Sequence, residues 1–234
     1  MTVQGQLLHM LETVAEALGS DFRERLVFVG GCTTALFITD PITLEDVRVT
    51  DDVDLIVDLA GYSAWAQLQQ QLRERGFSES SEDTVICRMR LGALKVDFMP
   101  DDEDILGFSN RWYKRGIETA VTHSLTGELE IKRLTPPLFV ATKLEAYRGR
   151  GQDDPIMSRD LEDILLLVDG REELGAEVQD AEEGIRNFIA AQFRDLQGHP
   201  DFDAFVDGNI RGPDGRADIV HARLDALALC DGEP

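Results

Sequence analysis

Apolar residues between positions 4 and 18 fall at Leu7, Leu8, Leu11, Val14, Ala15 and Leu18. That spacing predicts a helix, stopped at Gly19. The period then changes. "RLVFVGG" is a short unbroken apolar run ending on two glycines, the pattern of a buried strand that turns sharply. "CTTALFI" behind it predicts a helix packed on the sheet, and "TDPITLED" has the turn chemistry of a loop. "DVDLIVDL" alternates, so Val53, Leu55, Val57 and Leu59 share one face while Asp52, Asp54, Ile56 and Asp58 share the other. Residues 63–75 predict a helix stopped by Gly76. "TVICRMRL" and "ALKVDFM" flank Gly92 as a hairpin, and "IETAVTHSL" with "ELEIKRL" around Thr126-Gly127 predict a second.

At "LTPP" the pattern changes again. Thr135 can cap a helix whose first turn holds Pro136 and Pro137. Beyond it every segment has helical spacing: "LFVATKLEAYR", "SRDLEDILLLV" capped by Ser158, then about 179–197, 201–207 and 214–229. No internal repeat, low-complexity tract or long linker interrupts the chain. The expected architecture is α/β (α+β), with a mixed-sheet core in residues 1–134 and a helical C-terminal domain in residues 135–234.

Composition narrows the class of protein. At 43% hydrophobic and 29% charged residues, the 234-residue chain reads as an ordinary soluble globular protein. No apolar run approaches the roughly 18 residues that cross a membrane, and no basic-then-apolar leader opens the chain. Cys32, Cys87 and Cys230 are far apart, and His9, His123, His199 and His221 show no ligand spacing. A zinc site is therefore not expected, and the thiols read as reduced ones in a cytoplasm. A formal charge of −22 argues against a broad nucleic-acid surface. The charge is unevenly spread, however. Residues 88–159 hold twelve Lys/Arg against eleven Asp/Glu, whereas the remainder holds eleven against 34. Uneven sampling of a solvated surface gives such a distribution, and so does a face that must hold an anion.

Two carboxylates one residue apart on a strand point the same way and repel. In an isolated "DVD" they are simply the solvated side of an amphipathic strand. Two neighbours suggest more. The "FVGG" turn at 28–31 would let backbone N–H groups approach a phosphate closely. "LKVDFM" places Leu94, Val96 and Phe98 inward and Asp97 outward. Three aspartates from neighbouring strands beside such a turn predict a cage for divalent metal. Two Mg²⁺ about 4 Å apart in a cage of this kind clamp the attacking and leaving oxygens of a phosphoryl displacement. The cations would offset the repulsion.

Gly30-Gly31, Asp52-Val53-Asp54 and Asp97 together resemble the signature of the polymerase-β-like nucleotidyltransferase superfamily. With "FVGGCTTALF", "VRVTDDVDLIVD", "LKVDF", "FVATKLEAYRGR" and "MSRDLEDILLL" in that order, the chain resembles more specifically the AbiEii-type nucleotidyltransferase toxins of abortive-infection and toxin–antitoxin systems. The resemblance spans about residues 26–170. It implies a polymerase-β-like core and a helical bundle, with an NTP as co-substrate and Mg²⁺ on Asp52 and Asp54. Asp97 would be a third ligand or would deprotonate the acceptor hydroxyl. Gly30, Gly31 and Thr33 would belong to the turn that holds the nucleotide phosphates. Lys143 would sit near the triphosphate, and Asp160 matches the acidic position of "RDLED". The implied partners are an acceptor RNA such as a transfer RNA end and a separately encoded antitoxin. The chain departs from the pattern in two ways. About 20 residues separate the glycines from the aspartates, longer than in compact superfamily members, and Gly-Gly replaces the usual Gly-Ser.

Some candidates also have bland readings. Arg48 could organise the metal loop, contact nucleotide, or form a loop salt bridge. Lys143 sits at the edge of the apolar stripe of its helix, where a lysine is ordinarily solvated. Asp160 lies near a helix start, where a carboxylate is favourable for the dipole alone. A small polycationic acceptor of the aminoglycoside kind would suit the acidic surface, and a catalytically silent nucleotide-binding or interaction module would keep the same fold.

Overall fold

The computed structural model describes residues 2–59, 61–107, 109–150 and 154–230. The chain divides into two compact units, one of residues 1–33 and 48–135, the other of residues 34–47 and 136–234.

The first unit opens with helix α1 (Val3–Leu18), whose buried stripe of Leu7, Leu11, Val14, Ala15 and Leu18 follows the predicted spacing. Thr2 caps it by accepting the Gly5 N–H. The short α2 (Ser20–Arg23) leads into β1 (Leu26–Val29), every residue of which is buried. Then come β2 (Asp52–Val57), α3 (Gly61–Glu74), β3 (Phe77–Ser78), β4 (Arg88–Leu91), β5 (Leu94–Pro100), α4 (Glu103–Leu106), α5 (Tyr113–Glu118), β6 (Val121–Thr126) and β7 (Leu129–Arg133).

The seven strands form one mixed sheet in the order β3-β4-β5-β2-β1-β7-β6. β2 runs parallel to β5 and β1 parallel to β7, while the other neighbours are antiparallel. Both predicted hairpins are present, as β4–β5 and β6–β7. Parallel pairing of β2 with β5 requires a crossover, and the stretch holding α3, β3 and β4 supplies it.

Alternation along β2 alone would leave Ile56 exposed beside the aspartates. It is fully buried, because α5 covers that end of the face. Gly116 makes this approach possible: a Cβ there would meet Leu134 Cδ2 at 2.6 Å and Ile56 Cδ1 at 3.4 Å. The single turn of α4 and most of α5 fall in a stretch to which the sequence pattern assigns no element, and Ile117 and Glu118, read as the start of a hairpin strand, end α5 instead.

The second unit contains α6 (Pro136–Gly149), α7 (Arg159–Gly170), α8 (Leu174–Gln179), α9 (Glu183–Gln197), α10 (Phe202–Asn209) and α11 (Arg216–Ala228). Ser158 caps α7 by accepting the Leu161 N–H at 3.2 Å. The segment 34–47 belongs to this unit although it precedes most of the sheet in sequence. Gly170 explains how. A Cβ there would lie 2.7 Å from Ile38 Cγ2, and its carbonyl accepts the Thr39 N–H at 2.8 Å. Phe37 packs its ring 4.6 Å from that of Phe139.

The helix expected over "CTTALFI" is instead a 3-10 turn, Gly31–Leu36. The loop expected over "TDPITLED" contains a second one, Thr43–Asp46. Thr33 and Thr34 are wholly buried within the first, and the Thr33 hydroxyl donates to the Gly30 carbonyl at 2.9 Å. Such local side-chain bonds compete with a regular α-helix. Among the described residues, no helix is long and apolar enough to cross a membrane, and none of the three cysteines forms a disulfide.

Candidate metal centre

The sheet register builds the candidate site. Asp54 on β2 lies opposite Asp97 on β5, and Asp97 lies opposite Arg88 on β4. Residues paired across adjacent strands project from the same side of a sheet, so the three form one row. Asp52, two residues before Asp54, joins them on that side. Asp52, Asp54 and Asp97 each offer an oxygen within 4.8 Å of the others'.

Arg88 binds this cluster directly. Its Nε donates to Asp97 Oδ1 at 2.7 Å and its Nη2 to Asp97 Oδ2 at 2.8 Å, a fork on both carboxylate oxygens. Nη2 also reaches Asp52 Oδ2 at 3.5 Å. The hydrogen bond to Asp97 raises the Arg88 pKa above its ordinary value, outweighing desolvation. Thr50 Oγ1 donates to Asp52 Oδ1 at 2.5 Å. Asp97 is buried, whereas Asp52 and Asp54 stay half-buried. Two thiols sense the negative cluster. Cys32 is driven upward by burial first and then by Asp54 and Asp52. Cys87 is pushed up to about 12 by burial, with Asp97 and Asp54 adding to it.

Gly30 fits the cluster more tightly than any spacing argument suggests. Its φ is +75°, and a Cβ at this position would lie 1.9 Å from Asp54 Oδ2. The turn after β1 thus needs glycine twice over, for its left-handed backbone and for the Asp54 carboxylate lying against it. Gly31 begins the 3-10 turn. Thr33, expected to contact nucleotide, turns its hydroxyl and its N–H back to the Gly30 carbonyl and so fixes the shape of the turn. Arg48 is half-buried, four residues before Asp52.

The remaining two candidates come together in the second unit. Lys143, which the resemblance puts near the triphosphate and whose bland reading was a solvated lysine, is buried. Its Nζ donates to Asp160 Oδ1 at 3.1 Å and to Asp163 Oδ2 at 2.7 Å. The reason is that α6 has no solvated face along this stretch, since every residue from Pro137 to Leu144 is buried. Asp160 is also reached by Arg150 Nη1 at 2.7 Å. Asp160 is therefore an ion-pair partner as well as a residue of the first turn of α7.

The basic residues of 88–159 are largely committed within the protein. Arg90 forks on Asp83 at 2.7 and 2.9 Å, and Arg115 binds Glu118 at 2.9 Å. Lys132 donates to the Glu24 carbonyl at 2.6 Å. Arg111 lies over the Trp112 ring, 4.9 Å from its centroid. An anion-holding face made from this set would have to break several of these pairs.

Arg88 is the site residue that pattern reading overlooked. A signal for it existed: in a hairpin turning at Gly92-Ala93, Leu91 pairs with Leu94, so counting back places Arg88 against Asp97.

Three hard carboxylate oxygen donors and the cradle at Gly30 fit a hard divalent cation such as Mg²⁺, with the Arg88 guanidinium as a competitor for the same oxygens. Compared with known proteins, the chain matches no family model and no curated protein.

Proposed function

We propose that the first unit is the polymerase-β-like catalytic core of a metal-dependent nucleotidyltransferase, moving an NMP from an NTP to an acceptor hydroxyl. One observation carries this reading: three aspartates on two parallel strands bring oxygens within 4.8 Å of each other against a glycine turn that admits no side chain. Bound Mg²⁺ would supply charge neutralisation at the transferring phosphoryl group and alignment of the attacking and leaving oxygens. Asp52 and Asp54 would hold it. Asp97 would be the third donor or would take the hydroxyl proton, and either task needs an oxygen that Arg88 holds in this structure. Gly30 lets the Asp54 carboxylate lie against the turn, and Thr33 keeps that turn in shape. Gly31 and Arg48 remain candidates for nucleotide contact. Lys143 could serve the triphosphate only by leaving Asp160 and Asp163.

The resemblance to AbiEii-type toxins extends the reading to a toxin restrained by an antitoxin and acting on an RNA such as a transfer RNA end. The acidic surface and the internal pairing of the basic set favour a second acceptor, a small polycation of the aminoglycoside kind.

The test is transfer of label from α-labelled NTPs, with Mg²⁺, to RNA and to polyamine-like acceptors. Label on one acceptor class, with release of pyrophosphate and loss of transfer in Asp54→Asn, is the expected result. Mg²⁺-dependent transfer that survives in Asp54→Asn would remove the site from the mechanism, and transfer to neither class would overturn the enzyme reading.

A further inference from the structure

Asp97 cannot serve Arg88 and a divalent cation equally well. The guanidinium fork occupies both of its oxygens at 2.7 and 2.8 Å, in the geometry of a strong charge-assisted pair. A dication placed at the same carboxylate would sit a few ångströms from a fixed positive charge, in surroundings that screen it poorly. Arg88 also leans on Asp52 at 3.5 Å, so it draws on two of the three carboxylates in the cluster.

The strand holds Arg88 in place. Cys87 and Met89 on either side of it are buried, and Arg88, Met89 and Arg90 all pair in register with β5. The backbone at 88 is therefore fixed, and only the side chain is free to rearrange. Two positions along β4, Arg90 forks on Asp83 instead. The two arginines are chemically alike and on the same strand face, but only Arg88 touches the carboxylates that would bind metal.

We infer that Arg88 is a built-in counter-cation: it balances the aspartate cluster when no metal is bound and competes with divalent metal for Asp97. It is a positioning residue, not a catalytic one. The inference rests on the metal-site reading above. Arg88 would offset the repulsion among three carboxylates before a metal binds. It also makes metal loading a displacement, with an affinity that Arg88 sets.

The experiment uses the full chain without nucleotide. Mn²⁺ binding is measured by the spin-resonance signal of the free ion, and thermal melts are recorded with and without Mg²⁺. Arg88→Met removes the charge and keeps an unbranched apolar stem. It should bind Mn²⁺ about tenfold more tightly, the least expected from taking away a like charge beside an ion-binding carboxylate. Its melting temperature without metal should fall, and its gain on adding Mg²⁺ should exceed that of the wild type. Arg90→Met removes the same charge beside the cluster, and its Mn²⁺ affinity should change by less than about threefold. Arg88→Lys, which keeps the charge but loses the fork, should lie between wild type and Arg88→Met, and it carries the test if Arg88→Met fails to fold.

Equal or weaker Mn²⁺ binding in a folded Arg88 variant, with the wild type binding normally, overturns the inference and leaves the metal site standing. An equal gain in Arg90→Met overturns it too, since bulk charge would then be the cause. Absence of Mn²⁺ binding in wild type and variants alike removes the metal site itself.

Discussion

Each unit brings aspartates and a basic side chain together, and the two gatherings differ in closure. In the helical unit, Lys143, Asp160 and Asp163 have side chains 10%, 5% and 1% exposed, and Arg150 adds a second cation to Asp160. Two buried carboxylates meet one buried cation and a second, Arg150, that reaches in from a side chain 64% exposed. In the sheet unit, Asp52, Asp54 and Asp97 gather, Arg88 reaches Asp97 and Asp52, and the Asp52 side chain is 30% exposed. A buried, balanced cluster gains nothing from a further ion, because its charges are already paired and a ligand would have to displace them. A partly open cluster of three carboxylates can admit a cation from solvent. Exposure therefore separates a cluster that holds a fold from one able to hold a metal. Proximity alone does not.

The largest effect should come from the open cluster. Asp52→Asn or Asp54→Asn is expected to lower nucleotide transfer at least about a hundredfold, the scale of removing one preorganised charge from a phosphoryl-transfer site. Stability without metal should hold or rise, since a like charge is removed from the cluster. A melt paired with the labelled-NTP assay reads both. A variant that loses activity and stability together would place these aspartates with the closed kind of cluster.

The closed cluster should respond the opposite way. Lys143→Met leaves two buried carboxylates facing each other and should cost about 3–5 kcal/mol of stability, as breaking a buried pair does. This revises the expectation for a solvated lysine, whose removal would cost almost nothing. Chemical denaturation measures it. A loss below about 1 kcal/mol would mean that Lys143 contributes little to the fold, and a role at the triphosphate would gain.

The two clusters were not equally legible in the sequence. A strand's two-residue period assigns faces without reference to anything else, so "DVDLIVDL" and "LKVDFM" were enough to put Asp52, Asp54 and Asp97 on one side of their strands. Their meeting needed only that β2 and β5 be neighbours. Arg88 was within reach of the same counting, given the β4–β5 turn. Lys143 was not, because the exposure of a helix face depends on what packs against it. Its partners lie 17 and 20 residues further on, on another helix. The segment 34–47 was hidden for a similar reason. Its place in the helical unit rests on the approach of Ile38 and Thr43 to Gly170, which no local pattern announces.

Gly30 offers a smaller and sharper test of the open cluster. Gly30→Ala combines a left-handed backbone, costing about 1–2 kcal/mol for a residue with a Cβ, with a collision against the Asp54 carboxylate. Rotation can move the carboxylate aside but not the Asp54 Cβ, 2.9 Å away, so the loss of stability should exceed that figure while metal affinity falls. Melts and Mn²⁺ binding distinguish the two losses. Unchanged Mn²⁺ affinity would show that the position of Asp54 against the turn is not what the metal uses.

The smallest effect belongs to a pair outside both clusters, and it sets the baseline for them. Arg73 forks on Glu79 with contacts of 3.1 and 2.5 Å, close to the geometry of Arg88 on Asp97. Its side chains are 45% and 42% exposed, however. The Arg73 hydrogen bond holds the Glu79 carboxyl below its ordinary value of 4.5. A carboxyl depressed in the folded state contributes stability that is fully present above its unfolded pKa and is lost as pH falls through the folded one. Glu79→Gln should therefore melt slightly below wild type at neutral pH. The difference should close in acid, and it should shrink in about 0.5 M salt because water and ions screen an exposed pair. At neutral pH it should amount to about 2 °C or less. The Lys143→Met loss should survive the same salt, since its charges lie out of reach of the solvent. If the Glu79 effect proved as large and as resistant to salt, fork geometry rather than burial would govern these pairs, and exposure could no longer be used to tell the two clusters apart.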